Sequence, residues 1–207
     1  MRRFLLSTVW IFLLLSLLLG GKDFVKPAWA EPDPLAVIQA GTQQMLAIFK
    51  TCQPPEICKT PSYREAIIKI IANHCDFEEM SRRALGRYWE QQSPEKKREF
   101  VRLFGTLFCN TYLDRIDASA CTNIEVLFLE EKVEDQYAYV RTQINGPRER
   151  GIAVGYRLRL VNQEWRVYDV VVEGISYISN YRSQFGSLLT AGSFDDLLMR
   201  LRQKVSA

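Results

Sequence analysis

Apolar positions between residues 33 and 113 return every three or four residues, the period of helices with one buried face. Asp33-Pro34 supplies an N-cap followed by proline at the first helical position, and Leu35, Ile38, Met45, Leu46 and Phe49 then share one stripe. Ser62 and Glu65 form an S-x-x-E capping box ahead of Ile67, Ile70 and Ile71. Asp76 and Glu79 repeat the arrangement around Phe77, Met80, Ala84 and Leu85, and Gly86 is suited to end that helix. Ser93-Pro94-Glu95 opens the strongest helical pattern, whose apolar face is Phe100, Leu103, Phe104, Leu107, Phe108 and Tyr112.

From Asn123 the period drops to two. Strands are expected over 124–129, 137–144, 152–161 and 164–172, joined by connections short enough to require antiparallel hairpins. Helical spacing returns after Gly174, ending with Ser193 as N-cap to Phe194, Leu197, Leu198, Leu201 and Val205. The order is α+β: residues 31–122 mainly helical, 123–173 a sheet of about four strands, and 174–207 helical, with the sheet covered on one face. On the third strand Ile152, Val154, Tyr156, Leu158 and Leu160 point one way, and Ala153, Gly155, Arg157 and Arg159 the other. The space between the apolar face and the long aromatic helix is either a filled core or a cavity for an apolar ligand. Aromatics at helical spacing usually mean packing, so the residues alone favour the filled core.

The N-terminus alters this picture. Arg2 and Arg3 precede an apolar run over 4–19, and Ala28-Trp29-Ala30 follows, the order of a secretory signal cleaved after Ala30, with an uncleaved membrane anchor as the alternative. The mature chain is then a single domain over 31–207 in an oxidising compartment. With 47% hydrophobic and 25% charged residues, the chain has the composition of a folded globular protein. The formal charge of +3 belongs to the first thirty residues, which leaves twenty-three basic and twenty-three acidic residues beyond them. A neutral body lacks the electrostatic footprint of nucleic-acid binding. Export permits disulfides, and Cys52 and Cys58 flank a turn-prone Gln53-Pro54-Pro55 stretch that they are placed to staple. Cys109 with Cys121 is a weaker pair, and Cys75 is left as a buried thiol. Cys52, Cys58, His74 and Cys75 lack the spacing of a zinc site, so no metal is expected.

Catalytic chemistry finds few parts. His74 is the one histidine, at a helix end where a capping role is plainer than catalysis, and no G-x-S-x-G, P-loop or dinucleotide fingerprint occurs. No cofactor is implied. Asp169, within the apolar 165–172 run, is either a carboxylate whose pKa burial raises into the range of a general acid or base, or a group that pairs with an arginine or backbone donor. Arg141, Arg148, Arg150, Arg157, Arg159 and Arg166 face only Glu149 and Glu164 over the same interval. Arg141, Arg157 and Arg159 are therefore candidates to meet anionic headgroups or an acidic partner, against a merely solvated face.

Leu85-Gly86-Arg87-Tyr88-Trp89, Ser93-Pro94 leading to Phe100, and 167–176 followed by Asn180-Tyr181-Arg182-Ser183-Gln184-Phe185 together resemble the MlaC family of periplasmic toluene-tolerance phospholipid carriers. The resemblance spans nearly all of the mature chain. It implies a curved antiparallel NTF2-like sheet wrapped by helices, with acyl chains held between them. It further implies a soluble shuttle that contacts membranes transiently and exchanges phospholipid with an outer-membrane lipoprotein complex and an MCE-type inner-membrane ABC transporter. Family architecture and periodicity together nominate Leu85, Tyr88, Phe100, Phe104, Leu107, Val140, Val154, Tyr156 and Leu158 as tail-lining residues. Asp169 and Glu173 are expected to organise the strand end. Three alternatives stand beside this reading: a hopanoid-related ligand, an NTF2-like isomerase or dehydratase using Asp169 as base, and a lipid-free adaptor with a filled core.

Overall fold

Each helix starts where a short polar side chain satisfies the free N–H groups of its first turn. In the computed structural model, which describes residues 33–51, 56–57, 60–113, 124–146 and 151–206, Asp33 Oδ1 accepts from the N–H groups of Leu35 and Ala36 and opens α1 (Pro34–Lys50). α2 (Pro61–His74) begins earlier than the Ser62 box suggested: Thr60 is the cap and accepts from Tyr63. Proline at the first helical position loses nothing by lacking an N–H, so the helix starts at Pro61. Asp76 caps α3 (Phe77–Leu85) through the Glu79 N–H, and Gly86 closes it at φ 55°, a left-handed conformation that suits glycine, before a 3₁₀ turn over Gly86–Tyr88. Ser93 opens α4 (Pro94–Leu113), Ser176 opens α5 (Tyr177–Ala191), and Ser193 opens α6 (Phe194–Ser206).

The sheet has five antiparallel strands in sequential order: β1 (Glu125–Glu134), β2 (Tyr137–Asn145), β3 (Ile152–Val161), β4 (Glu164–Val172) and the two-residue β5 (Ile175–Ser176). β3 and β4 fall where alternation put them. β1 runs to Glu134 rather than stopping at residue 129. It is an edge strand, and a bulge between Phe128 and Glu130 shifts its alternation by one, so a polar run there still pairs with β2. The turn is confined to Asp135 and Gln136, with Asp135 at φ 51°.

Two principal cores form. Ala138, Val140, Leu158, Trp165 and Val167 on the inner sheet face pack with Ile38 of α1. Separately, α3 to α6 bury Leu85, Trp89, Phe100, Phe104, Phe108, Tyr181, Phe185 and Phe194 against one another. The long aromatic helix therefore meets other helices, not the sheet face opposite which periodicity had placed it. The apolar stripes of α5 and α6 supply enough area to bury its rings, and α1 covers the sheet instead. A smaller cluster joins α1 to α2 through Tyr63 and Ile67.

The outer sheet face contains one strand-interior glycine whose reason is steric. A Cβ on Gly155 would lie 2.2 Å from the Tyr139 hydroxyl oxygen, because the ring of Tyr139 lies across that position. Gly155→Ala should lower stability by about 1–3 kcal/mol as the ring is displaced. Chemical denaturation measures this, and combining the change with Tyr139→Ser should recover most of the loss.

Candidate functional site

The inner face of the sheet is sealed at one end and partly open at the other. Val140 and Leu158 are fully buried beneath α1, whose first turn is tied to β1 by the Leu35 N–H donating to Glu131 Oε1 at 2.9 Å. Toward the opposite end, Val126, Phe128, Ile144, Ile152 and Val172 stay half-buried, as do Tyr156 and Val170 in the row of Val140, although all point the same way as the sealed residues. Val154 sits at the transition, paired with Thr142 on β2 and Val172 on β4. Among the described residues, Thr142 is the one polar side chain fully buried on this face, and its hydroxyl donates to the Val154 carbonyl at 3.2 Å. Burial pushes the Tyr156 phenol above its usual range, against a hydrogen bond with Thr142 that lowers it.

The residues nominated from sequence thus separate into two groups. Val140, Val154, Tyr156 and Leu158 share the inner sheet face. Leu85, Phe100 and Phe104 lie in the helical core with no more than 2% exposure, and Leu107 packs at its border. Tyr88 lies on the 3₁₀ turn with its hydroxyl toward Arg87 and Thr190. Val126, Phe128, Ile144 and Ile152 share the face of Val154 without having been nominated; alternation already put Ile152 there, and the other three needed the register between strands.

The arginine face is not a free cationic surface. Arg141 pairs with Glu130 at 3.1 Å and Arg157 with Asp169 at 2.9 Å. Arg159 reaches Asp76 at 2.7 Å and Glu79 at 3.3 Å. All four of these carboxylates lie outside the 141–166 interval that made the arginines look unopposed, Asp169 only just beyond Arg166. Arg148 and Arg150 lie outside the described residues. Glu79 is 2% exposed and also takes Arg82 and Arg83. Burial alone would raise its carboxyl, but the hydrogen bonds from Arg82 and Arg83 and the Arg159 charge outweigh it and hold the pKa below the usual carboxylate range. The network joins the first turn of α3 to β3.

Asp169 is fully occupied as a joint. It accepts from Arg157, from Ser176 Oγ at 2.6 Å and from the Ile178 N–H at 3.1 Å, so one carboxylate ties β3, β4 and the start of α5 together. Glu173 acts alongside: its carboxylate accepts from the Ala153 N–H, and its own N–H donates to the Ala153 carbonyl. Asp169→Asn should reduce stability by about 1–3 kcal/mol through loss of the charge-assisted bonds, with urea unfolding as the measurement.

His74 does not cap its helix as expected. Its ring packs on Gly41 of α1, Nε2 is buried without a partner, and burial together with the nearby Arg166 charge lowers its pKa. Cys75 and Cys109 are free thiols, so Cys109 is not paired with Cys121, and burial raises them to about 12 and about 11. The Cys52–Cys58 pairing and the signal segment lie outside the described residues. Among the described residues, no three His, Cys, Asp or Glu side chains converge as metal ligands.

Comparison with known proteins fits this geometry. A solved structure of the phospholipid-binding protein from Ralstonia solanacearum, in complex with a phospholipid, superposes with a TM-score of 0.74 at 23% identity, over 84% of this chain and 97% of that one. The intermembrane phospholipid transport system binding protein MlaC of Haemophilus influenzae is 22% identical over 199 residues, 94% of this chain and 92% of that protein. The family model described as MlaC protein matches residues 39–203, and the chain belongs to the MlaC family.

Proposed function

We propose that this chain is a periplasmic phospholipid carrier that moves lipid between two membranes as the soluble component of an intermembrane transport system. The observation that carries the reading is the apolar inner face of the sheet, sealed under α1 at one end and left half-covered at the other, in a family fold whose solved relative from Ralstonia solanacearum holds a phospholipid. Each methylene withdrawn from water contributes about 0.8 kcal/mol, so a carrier must enclose the tails and can leave the headgroup outside. Val126, Phe128, Ile144, Ile152, Val154, Tyr156 and Val172 provide that enclosure. Val140 and Leu158 close its end, while Phe100 and Phe104 stiffen the neighbouring helical layer without touching lipid. Export by the N-terminal segment, cleaved after Ala30, delivers the chain to the periplasm. Its exchange partners there are an MCE-type inner-membrane transporter and an outer-membrane lipoprotein complex.

Native mass spectrometry of residues 31–207 from a periplasmic extract tests the proposal. Adducts in the phospholipid mass range that disappear on unfolding are expected. A bare mass that stays bare after incubation with phospholipid vesicles would overturn it.

A further inference from the structure

The two edges of the sheet are treated differently. Beside β4, β5 pairs with Val171 and Val172, and the Cys75–Asp76 junction bridges to Val167, where the Asp76 N–H donates to the carbonyl at 2.8 Å. β1 is the last strand on the other side, and no described strand pairs with its outward edge over its ten residues. Leu127, Leu129 and Val133 are 37%, 47% and 52% exposed, and Tyr137, opposite Glu134 on β2, is 48% exposed. Four of the seven large exposed apolar side chains of the described residues thus gather on this one hairpin.

The charge on the strand says what would cover it. β1 carries four carboxylates against Lys132 alone. Glu131 is engaged by the Leu35 N–H, and Glu130 by Lys132 and Arg141. Glu134 has no ion pair or hydrogen bond among the described residues, and Glu125 has only the side-chain amide of Asn145. Because the bulge shifts the alternation, these two carboxylates fall on the same outer face, about 30 Å apart along the strand. Beside Glu134, a groove of about 410 Å³ is lined by Tyr137, Tyr139 and Tyr168 together with Lys132 and Arg157, whose charges are taken up by Glu130 and Asp169. Arg83, itself paired with Glu79, sits 4.0 Å from the centre of the Tyr168 ring and 5.9 Å from that of Tyr137, so these two rings already accept a cation within the protein.

We infer that the free edge of β1 is a docking site for an extended, basic segment of a partner protein, which adds as a sixth strand. Its backbone pairs with the open edge, apolar side chains on the inner phase cover Val133, one on the outer phase covers Leu127, and on that outer phase lysine or arginine near its two ends meets Glu125 and Glu134, the latter beside Tyr137. A strand with this many exposed apolar positions and an open outward edge is otherwise an aggregation risk.

Panning a displayed library of random decapeptides on the mature chain tests this. Enriched sequences are expected to alternate apolar residues and to carry Lys or Arg toward both ends. A synthetic peptide of the most enriched sequence should slow hydrogen exchange of β1 amides at least tenfold. The double variant Glu125→Lys, Glu134→Lys should weaken its binding at least tenfold while leaving lipid adducts in the mass spectrum unchanged, which separates this inference from the carrier reading. Failure to enrich any sequence, enrichment without basic residues, protection outside β1, or unchanged affinity in the double variant would each overturn the inference. Self-association through β1 at micromolar concentration would do so too, by placing a second copy there.

Discussion

Phe104→Ala should destabilise the protein by about 3–5 kcal/mol while leaving lipid occupancy of the folded molecules unchanged. Phe104 has no exposed surface and stands among four aromatic rings: Tyr181 at 4.9 Å, Phe185 at 5.5 Å, Phe100 at 5.6 Å and Phe108 at 6.2 Å between centroids. Edge-to-face contacts with Tyr181, Phe185 and Phe108 add to the transfer energy of the ring. Its removal leaves a cavity held open by helices α4, α5 and α6, which cannot collapse without moving one another. Urea unfolding with an unchanged slope measures the loss, and native mass spectrometry of the same sample reads the lipid. A loss below about 1 kcal/mol accompanied by lost adducts would place Phe104 at the ligand instead.

Val154→Trp should abolish lipid adducts and leave a folded protein. The side chain points along the inner face toward the half-covered end, beside Val172 and Thr142, so an indole there fills the volume proposed for the tails. Leu158→Trp is the contrasting variant. Leu158 is fully buried under α1, where added atoms have no space, and about 1–3 kcal/mol of overpacking is expected. The pair is read by thermal unfolding and by mass spectrometry. Adducts retained in Val154→Trp, but lost in a folded Leu158→Trp, would put the tails at the α1 end.

The two variants differ in how readily sequence could foresee them. Both residues belong to one alternating run, and their common face is legible from periodicity. Which is sealed and which borders the opening is not, because that depends on how far α1 extends across the sheet. The aromatic stripe of α4 shows the same limit: the four-residue spacing of Phe100, Phe104 and Phe108 announces a buried face without naming what buries it. Arg159 looked unopposed because its partners Asp76 and Glu79 lie some eighty residues earlier in the chain. Asp169 is an intermediate case, since an isolated carboxylate in an apolar strand demands a partner, and only the fold identifies Arg157, Ser176 and Ile178.

Local chemistry by itself determined the helices, the turns, the strand phases and the family motifs. Caps at Asp33, Asp76, Ser93 and Ser193, the terminating Gly86 and the period-two runs act over a few residues, within reach of backbone sterics and hydrogen bonding. Tertiary structure decided that the long helix faces other helices, that Arg159 finds its carboxylates at a distant turn, and that one end of the apolar sheet face stays partly uncovered. Those outcomes depend on which surfaces compete to exclude water and on charges brought together by chain reversal, and burial energy does not depend on separation along the chain.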